Sequence, residues 1–275
     1  MKLKTFQRGV HPSYHKGLTQ ASGIEKAELP KSVVIPLQQH IGAPCAPLVK
    51  KGDEVIEGQR IGEAGAFVTA PVHASISGKV KEVALKPFPG GGKVLSVVIE
   101  GDGGERNWEE EKGEFREFES LKPEEVRRAI KDAGIVGMGG AAFPTAVKLS
   151  PPGDKKLDSV VLNGCECEPY LTCDHRVMLE EPDKVIWGLR AIMKTVGASS
   201  GYIGIEDNKR DAIEALRASI ERISPGIKVV PLETKYPQGA EKMLIHAVLK
   251  RKVPTGKLPL EVGVVVNNTS TAVAI

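Results

Sequence analysis

The second half of the chain alternates between segments typical of buried strands and segments typical of amphipathic helices. After residue 120, short apolar runs rich in β-branched residues are followed by longer helical patterns. The predicted order is helix 122–133, strand 159–162, helix 174–196, strand 202–205, helix 209–223, strand 228–232, helix 239–249 and strand 263–266. Because parallel strands need long crossover connections, this alternation predicts an α/β fold with a Rossmann-like, mostly parallel sheet and helices on both faces.

Residues 31–100 have a different pattern, in which short alternating segments are separated by turn residues. Two of these segments, 52–59 and 71–80, resemble the turns of biotinyl and lipoyl carrier modules, which are small β barrel-sandwich folds. A carrier needs an exposed lysine to which its cofactor is linked, yet no lysine lies between Arg60 and Lys79. We therefore expect a structural or docking module rather than a swinging arm.

These two patterns divide the chain into four regions. Residues 1–30 form an irregular polar arm that we expect to pack on the body, and residues 31–100 form the β module. Residues 101–120 are highly charged, which is typical of a solvated linker. The α/β domain is predicted to occupy residues 121–275.

A glycine-dense loop precedes the first predicted strand of the α/β domain. Gly137, Gly139 and Gly140 lack a Cβ and can take positive φ, so their backbone can approach a phosphate or a flat ring and direct N–H groups at it. Lys148 follows and offers a point charge for a phosphate. Alone, the same loop is equally explained as a tight connection before a helix.

A second polar motif begins where the predicted strand 159–162 ends. Its sequence is Asn163-Gly164-Cys165-Glu166-Cys167-Glu168-Pro169. Ligands of open α/β sheets bind at the carboxyl ends of strands. An amide and two carboxylates placed there can accept hydrogen bonds from ribityl or ribose hydroxyls, so the two motifs together predict a flavin and dinucleotide site.

Further motifs carry a resemblance that runs along essentially the whole chain. They include Thr5-Phe6, residues 9–12, Asp174 and Arg176, residues 236–242 and residues 266–271. With these motifs the chain resembles the RnfC family of the Rnf electron transport complex, which is related to the flavin-bearing, NADH-oxidising subunit of respiratory complex I.

The resemblance implies a set of cofactor-binding residues. It places the FMN cradle at Gly137, Gly139, Gly140 and Lys148, with Phe143 nearby as a nicotinamide or adenine contact. It implies a polar shell and an aromatic wall at Asn163, Glu166, Glu168, Tyr236, Gly239 and Glu241. It also implies that Asn267, Asn268 and Thr271 hold the flavin phosphate.

Several positions depart from the pattern of the complex I relative. Met138 replaces an arginine and Ala142 a glycine in the first motif, and Cys165 replaces an aspartate in the second. In the third, Ala240 and Lys242 replace a glutamate and a threonine. Two carboxylates of the relative's nucleotide site are therefore absent at Cys165 and Ala240.

Three of the four cysteines are crowded at positions 165, 167 and 173. Their spacing matches none of the usual zinc or cluster patterns, so we expect buried thiols beside the flavin and no metal in this chain. Members of the RnfC family carry two Cys-x2-Cys-x2-Cys-x3-Cys-Pro runs for [4Fe–4S] clusters, and this sequence has neither. We therefore expect a fragment whose cluster-bearing C-terminal region is missing.

Composition limits the classes of partner. The chain has 275 residues, is 41% hydrophobic and carries a net charge of +3, with no basic stripe that would indicate nucleic acid. No apolar run approaches the roughly 20 residues that a membrane-spanning helix requires. We expect a soluble fragment that belongs, through partner subunits, to the cytoplasmic face of a membrane.

The resemblance implies a function in membrane-associated electron transport. NAD(H) and a non-covalent FMN would exchange hydride, and electrons would pass to iron–sulfur clusters in an ion-translocating ferredoxin:NAD+ oxidoreductase. A cobalamin reductase on the same scaffold is one alternative. Another alternative is the related quinone reductase subunit, which keeps the architecture but has no functioning flavin site. The intact glycine loop argues against that alternative. Cys165 and Ala240 keep a third alternative open, a docking subunit with a vestigial flavin site.

Overall fold

The computed structural model describes residues 3–103, 118–153 and 155–275. Its N-terminal β module contains β1 (Ser32–Pro36), β2 (Ala46–Pro47), β3 (Glu54–Val55), β4 (Arg60–Glu63), β5 (Val72–His73), β6 (Gly78–Pro87) and β7 (Lys93–Gly101). These strands form two antiparallel sheets, in the orders β1-β7-β6-β3 and β2-β4-β5.

Apolar side chains of both sheets meet in one core. Ile35, Val97 and Ile99 come from the larger sheet, and Ile61 and Val72 come from the smaller one. Alternation along each strand turns these residues to the inside and leaves charged residues on the outer face. The β module predicted from the sequence is confirmed.

The remaining elements form the α/β part. They are α1 (Pro123–Asp132), α2 (Thr145–Lys148), β8 (Ser159–Gly164), α3 (Cys173–Glu180), α4 (Pro182–Val196), β9 (Ser200–Glu206), α5 (Arg210–Ile223), β10 (Lys228–Leu232), α6 (Glu241–Leu249), β11 (Val264–Asn268) and α7 (Thr269–Ala274). The four strands pair in parallel in the order β10-β9-β8-β11. The predicted parallel sheet is confirmed.

Helices cover both faces of this sheet. On one face, α1, α4 and α5 share a core with Leu162 and Ile203. On the other face, Leu244 and Val248 of α6 pack against Val161. A parallel sheet that is buried on both sides explains why its strands read as continuous apolar runs in the sequence.

The single helix predicted over 174–196 is wrong. The chain forms α3 and α4 instead, separated at Glu181, whose φ of −129° and ψ of 45° are not helical. Pro182 explains the break, because proline disfavours the helical conformation of the residue before it and suits the first position of a new helix.

The polar arm lies along the edge strand of the parallel sheet. The backbone N–H of Lys4 donates to the Pro231 carbonyl at 3.3 Å, and the N–H of Glu233 donates to the Lys4 carbonyl at 3.0 Å.

Of the predicted linker 101–120, residues 104–117 lie outside the described residues. The boundaries of the four regions stay predictions. Among the helices described, none is long and apolar enough to cross a membrane.

Substitution of Gly188 tests the packing of α4 against α7. A Cβ at this position would lie 1.8 Å from the Ala272 carbonyl oxygen, which is backbone and cannot move aside by rotation. We expect Gly188→Ala to lower the free energy of unfolding by at least about 2 kcal/mol, because the overpacking outweighs the gain of about 1 kcal/mol in helix propensity. Urea unfolding measures the change.

Gly226→Ala is the matched control, since no atom lies within 4 Å of the added Cβ. It should change the free energy of unfolding by no more than about 0.5 kcal/mol. Equal unfolding midpoints for the two variants would contradict the packing described for α4 and α7.

Candidate flavin and nucleotide site

The predicted site lies where the order of the parallel strands reverses. From β8 the sheet extends through β9 to β10 on one side, and β11 adds on the other side. The loops that follow β8 and β11 therefore separate and leave a crevice at the carboxyl ends of these two strands, the usual ligand position in open α/β sheets.

Two asparagines face each other at this edge. Asn163 and Asn268 are register partners at the ends of β8 and β11. The Asn163 side-chain amide donates to the Gly239 carbonyl at 2.9 Å, and its oxygen accepts from the Cys165 N–H at 3.2 Å. A Cβ on Gly239 would lie 3.2 Å from that same side chain. The second and third sequence motifs thus meet at Asn163.

The glycine-rich loop lies against the end of β11. The Met138 N–H donates to Thr271 Oγ1 at 2.9 Å. A Cβ on Gly139 would lie 2.6 Å from the Asn268 amide nitrogen, so close approach requires glycine there. None of the three glycines takes positive φ, whereas Ala142 does, with φ of 48°.

The other glycines of the loop leave space for a ligand. Gly140 has no atom within 4 Å of an added Cβ, and Gly137 has none closer than 3.6 Å. The Gly137 N–H donates to the Phe143 carbonyl at 2.9 Å and closes the base of the loop. Phe143 is half-buried.

Lys148 and Glu241 form an ion pair across the site. Their Nζ and Oε1 atoms are 3.0 Å apart, and about a third of each side chain is exposed. Such a half-exposed pair contributes only about 1 kcal/mol or less, so either group can exchange its partner for a ligand at small cost.

Glu166 lies in the second motif, but its carboxylate is used within the protein. Oε1 accepts from the Asp174 N–H at 2.7 Å, and Oε2 accepts from the His175 N–H at 3.3 Å. A carboxylate in this position satisfies free N–H groups at the start of α3 and complements the helix dipole. The structure therefore shows Glu166 as a helix cap.

Glu168 and Tyr236 join the second motif to the third. The Tyr236 hydroxyl donates to Glu168 Oε1 at 3.0 Å. The hydrogen bond to this carboxylate and its negative charge raise the pKa of Tyr236. Glu168 is exposed and Tyr236 half-buried.

The closing motif ties β11 to α3. Asn268 Nδ2 donates to Asp174 Oδ2 at 2.6 Å, and the Ser270 hydroxyl donates to Asp174 Oδ1 at 2.5 Å. Asn268 Oδ1 also accepts from the Thr271 N–H at 3.2 Å and caps α7. Burial raises the pKa of Asp174, although these donors oppose the shift.

Two buried lysines to which the sequence patterns assign no role hold the loop of the second motif. The Lys16 ammonium donates to the carbonyls of Glu166, Glu168 and Leu171. Lys209 donates to the Cys165 carbonyl at 2.6 Å and lies 3.4 Å from Glu206 Oε2. Burial raises the pKa of Glu206, and the charge of Lys209 opposes that shift. A lysine in a polar arm carries no local signal for such a role.

The three crowded cysteines point in different directions. Cys165 is buried in the core beneath the sheet edge, and Cys167 accepts from the Gly239 N–H at 3.4 Å. Cys173 is exposed, and its thiol donates to Glu166 Oε1 at 3.3 Å. Within the described part of the chain, no group of three or more potential ligands is arranged to hold a metal ion.

The residues present fit a flavin nucleotide. Asn267 Nδ2 and Thr145 Oγ1 are buried without a hydrogen-bond partner among the described residues. Asn267 is the penultimate residue of β11, and Thr145 begins α2 directly after the glycine-rich loop. Unsatisfied buried polar atoms are costly, so those at the end of β11 and directly after the open glycine loop are consistent with a phosphorylated ligand.

Comparison with known proteins assigns the class. Residues 130–275, more than half of the chain, match the family model of the Nuo51 FMN-binding domain, and residues 4–104 match that of the RnfC barrel sandwich hybrid domain. The chain belongs to the Nuo51 FMN-binding domain family. Its β module is similar to the barrel sandwich hybrid domain.

The relatives belong to one type of complex, and they confirm the resemblance to the RnfC family. The chain is 51% identical over its full length to the C subunit of the Na(+)-translocating ferredoxin:NAD(+) oxidoreductase complex of Acetobacterium woodii, of which it covers 62%. It is 51% identical over 99% of its length to the proton-translocating counterpart of Clostridium ljungdahlii, of which it covers 59%. The chain thus spans about 60% of the length of these relatives.

A solved structure shares the fold of part of the chain. It is an NAD+-reducing [NiFe]-hydrogenase in the H2-reduced state, with a TM-score of 0.51 and 25% identity. The match covers 57% of this chain and 31% of the hydrogenase chain.

The reactivity of Cys173 tests the electrostatics beside the site. Partial desolvation of the Cys173 thiol, together with the carboxylates of Asp174 and Glu166, raises its pKa to about 11, although the residue reaches the surface. Because only the thiolate reacts, we expect alkylation by iodoacetamide at pH 8 to be about two orders of magnitude slower than for a free thiol with a pKa of about 8.5. The rate should rise about tenfold per pH unit until the pH approaches that pKa.

Peptide mapping by mass spectrometry assigns the label, and Cys173→Ser identifies the contribution of the other three cysteines. Labelling of Cys173 at pH 8 as fast as that of glutathione would contradict the raised pKa.

Proposed function

We propose that residues 121–275 bind FMN at the carboxyl ends of β8 and β11 and exchange hydride between NAD(H) and this flavin. The observation that carries the proposal is the placement of the glycine-rich loop over Asn268 and Thr271, at the reversal point of the sheet. The strand order, with the third, second, first and fourth parallel strands side by side, supports the Rossmann-like arrangement that the sequence predicts.

Under this proposal the residues of the site either bind the flavin phosphate or form the walls of the crevice. Lys148 exchanges Glu241 for the flavin phosphate, and the amides of Gly140 and Asn267 donate to the same group. Tyr236 and Phe143 form the walls of the crevice, with Glu168 held in place by the Tyr236 hydroxyl. The bound flavin supplies the change between two-electron and one-electron transfer, and the protein supplies position and electrostatics.

The contacts of Glu166 and Asp174 argue against a role of either carboxylate in acid–base catalysis. Glu166 accepts two backbone N–H groups, and Asp174 is held by Asn268 and Ser270. Neither carboxylate is free to transfer a proton without loss of a helix cap or a loop contact. We propose that both are structural supports of the site.

We further propose that the whole protein is a subunit of a membrane-bound, ion-translocating ferredoxin:NAD+ oxidoreductase, on the cytoplasmic face of the membrane. The names of the relatives support this assignment. In this proposal the β module docks on partner subunits, and [4Fe–4S] clusters held outside residues 1–275 would accept electrons from the flavin.

Flavin titration tests the proposed site. We expect FMN fluorescence to be quenched on addition of the protein, and anaerobic NADH to bleach the bound flavin. Lys148→Met should weaken FMN binding about tenfold or more, because a charge-assisted hydrogen bond to the phosphate contributes about 1.5–3 kcal/mol. Gly140→Leu should also weaken binding without loss of fold, since its side chain enters open space.

Gly65→Ala in the β module is the matched control, because its added Cβ also meets no atom within 4 Å. Its affinity for FMN should equal that of the unaltered protein. Binding that is equally tight in Lys148→Met and in the unaltered protein would place the flavin elsewhere.

A second candidate function is a docking subunit whose flavin site is vestigial. The specific observation in its favour is that polar groups of the site already bind one another: Glu166 caps α3, and Lys148 is paired with Glu241. If the protein binds the membrane subunits of the complex but leaves FMN fluorescence unquenched, this candidate replaces the first.

A further inference from the structure

The N-terminal arm connects the loops after β8 and β10. Lys16 lies in a short turn of helix, Lys16–Leu18, and the residue is only 6% exposed. Its ammonium donates to the carbonyls of Glu166 at 2.8 Å, Glu168 at 3.0 Å and Leu171 at 2.5 Å. One side chain thus gathers three carbonyl groups from a six-residue stretch that contains no regular secondary structure.

Neighbouring residues of the arm support the same loop. The Tyr170 N–H donates to the Tyr14 carbonyl at 2.8 Å, and the rings of His15 and Tyr170 stack with centroids 5.0 Å apart. The hydroxyls of Thr19 and Thr172 are 2.7 Å apart. The arm therefore contacts the loop after β8 at several successive residues.

The earlier part of the arm holds the loop after β10. Val10 and Tyr236 exchange two backbone hydrogen bonds, of 2.9 and 2.8 Å. Lys235 donates to the Phe6 carbonyl at 2.6 Å and lies 4.2 Å from the centroid of the Phe6 ring. The loops that contain Glu168 and Tyr236, whose side chains are hydrogen-bonded to each other, are thus both held by the arm.

We propose that the arm is a structural part of the nucleotide site, in which Lys16 is the positioning residue that fixes the loop from Cys165 to Leu171 and so sets Glu168 against Tyr236. This inference rests on the proposed function as far as ligand affinity is concerned. The ordering of the loop by Lys16 does not depend on it.

Lysine is the residue type that this position requires. An ammonium has three donors that can point to three carbonyls in different directions, whereas the guanidinium of arginine directs its donors in one plane. Loss of the donor removes one hydrogen bond from each of three carbonyls, and the bond to the Glu166 carbonyl is buried away from water. Burial lowers the pKa of Lys16, and the charge of Lys209 acts in the same direction, while Glu166 and Glu206 oppose it.

Hydrogen exchange of the ligand-free protein tests the ordering. Lys16→Met should increase the exchange rate of amides between Cys165 and Leu171 by about tenfold or more, because the three hydrogen bonds to a charged donor are lost. Amides of β9 should keep their rates. Lys26→Met, at an exposed position of the same arm, is the matched control and should change neither region.

Unchanged exchange of the loop in a folded Lys16→Met variant would overturn the proposal. If that variant fails to fold, Lys16→Gln, which keeps a neutral donor, replaces it, and the same criterion then applies.

A double-mutant cycle of Lys16 and Glu168, read out as NADH affinity, distinguishes a positioning role of Lys16 from general destabilisation. We expect Glu168→Gln to weaken NADH binding to the flavin-loaded protein, but to weaken it no further once Lys16 has been replaced, because Glu168 is then already displaced. Fully additive effects would overturn the link to the site. Absence of FMN binding by the unaltered protein would instead refute the proposed function and leave the exchange result standing.

Discussion

The pairing of β8 with β11 is the constraint on which the rest of the site depends. Their register places Asn163 opposite Asn268, and each amide then binds a different part of the chain. Asn163 holds the loop before α6 at Gly239, and Asn268 holds the start of α3 through Asp174. A slip of β11 by one residue past β8 would turn Asn268 to the other face of the sheet, away from Asn163 and Asp174.

Buried lysines take over the hydrogen bonds that secondary structure would otherwise supply. The loop after β8 has no helix or strand, so its carbonyls need other donors. Lys16 provides them for Glu166, and Lys209 provides one for Cys165. Burial of an ammonium is costly unless it is fully hydrogen-bonded, and here its bonds are the ones that fix the loop. The same hydrogen bonds thus offset the cost of burying the ammonium groups and order the loop.

Local patterns predict the elements of the fold better than the contacts of the site. The strand predicted over 228–232 has its observed bounds because a short apolar run between turns is a local signal. The single helix predicted over 174–196 is wrong because apolar periodicity continues across Pro182, where the backbone breaks. The contact of Lys16 with Glu166 spans 150 positions, and the capping role of Glu166 depends on where α3 begins. Such long-range contacts follow from topology, which sequence periodicity does not contain.

The β module fixes the start of the glycine-rich loop from the opposite side. Gly134 follows α1 with φ of 68°, and a Cβ there would lie 2.4 Å from the Pro71 carbonyl oxygen. Two residues before Gly134, Asp132 accepts hydrogen bonds from Arg60 with both its carbonyl and its carboxylate. The contacts of this arginine are largely exposed and weak, but the close approach of backbone to backbone at Gly134 cannot be relieved by rotation of a side chain. The loop that approaches Asn268 is therefore held at its root by the β module and at its tip by the parallel sheet.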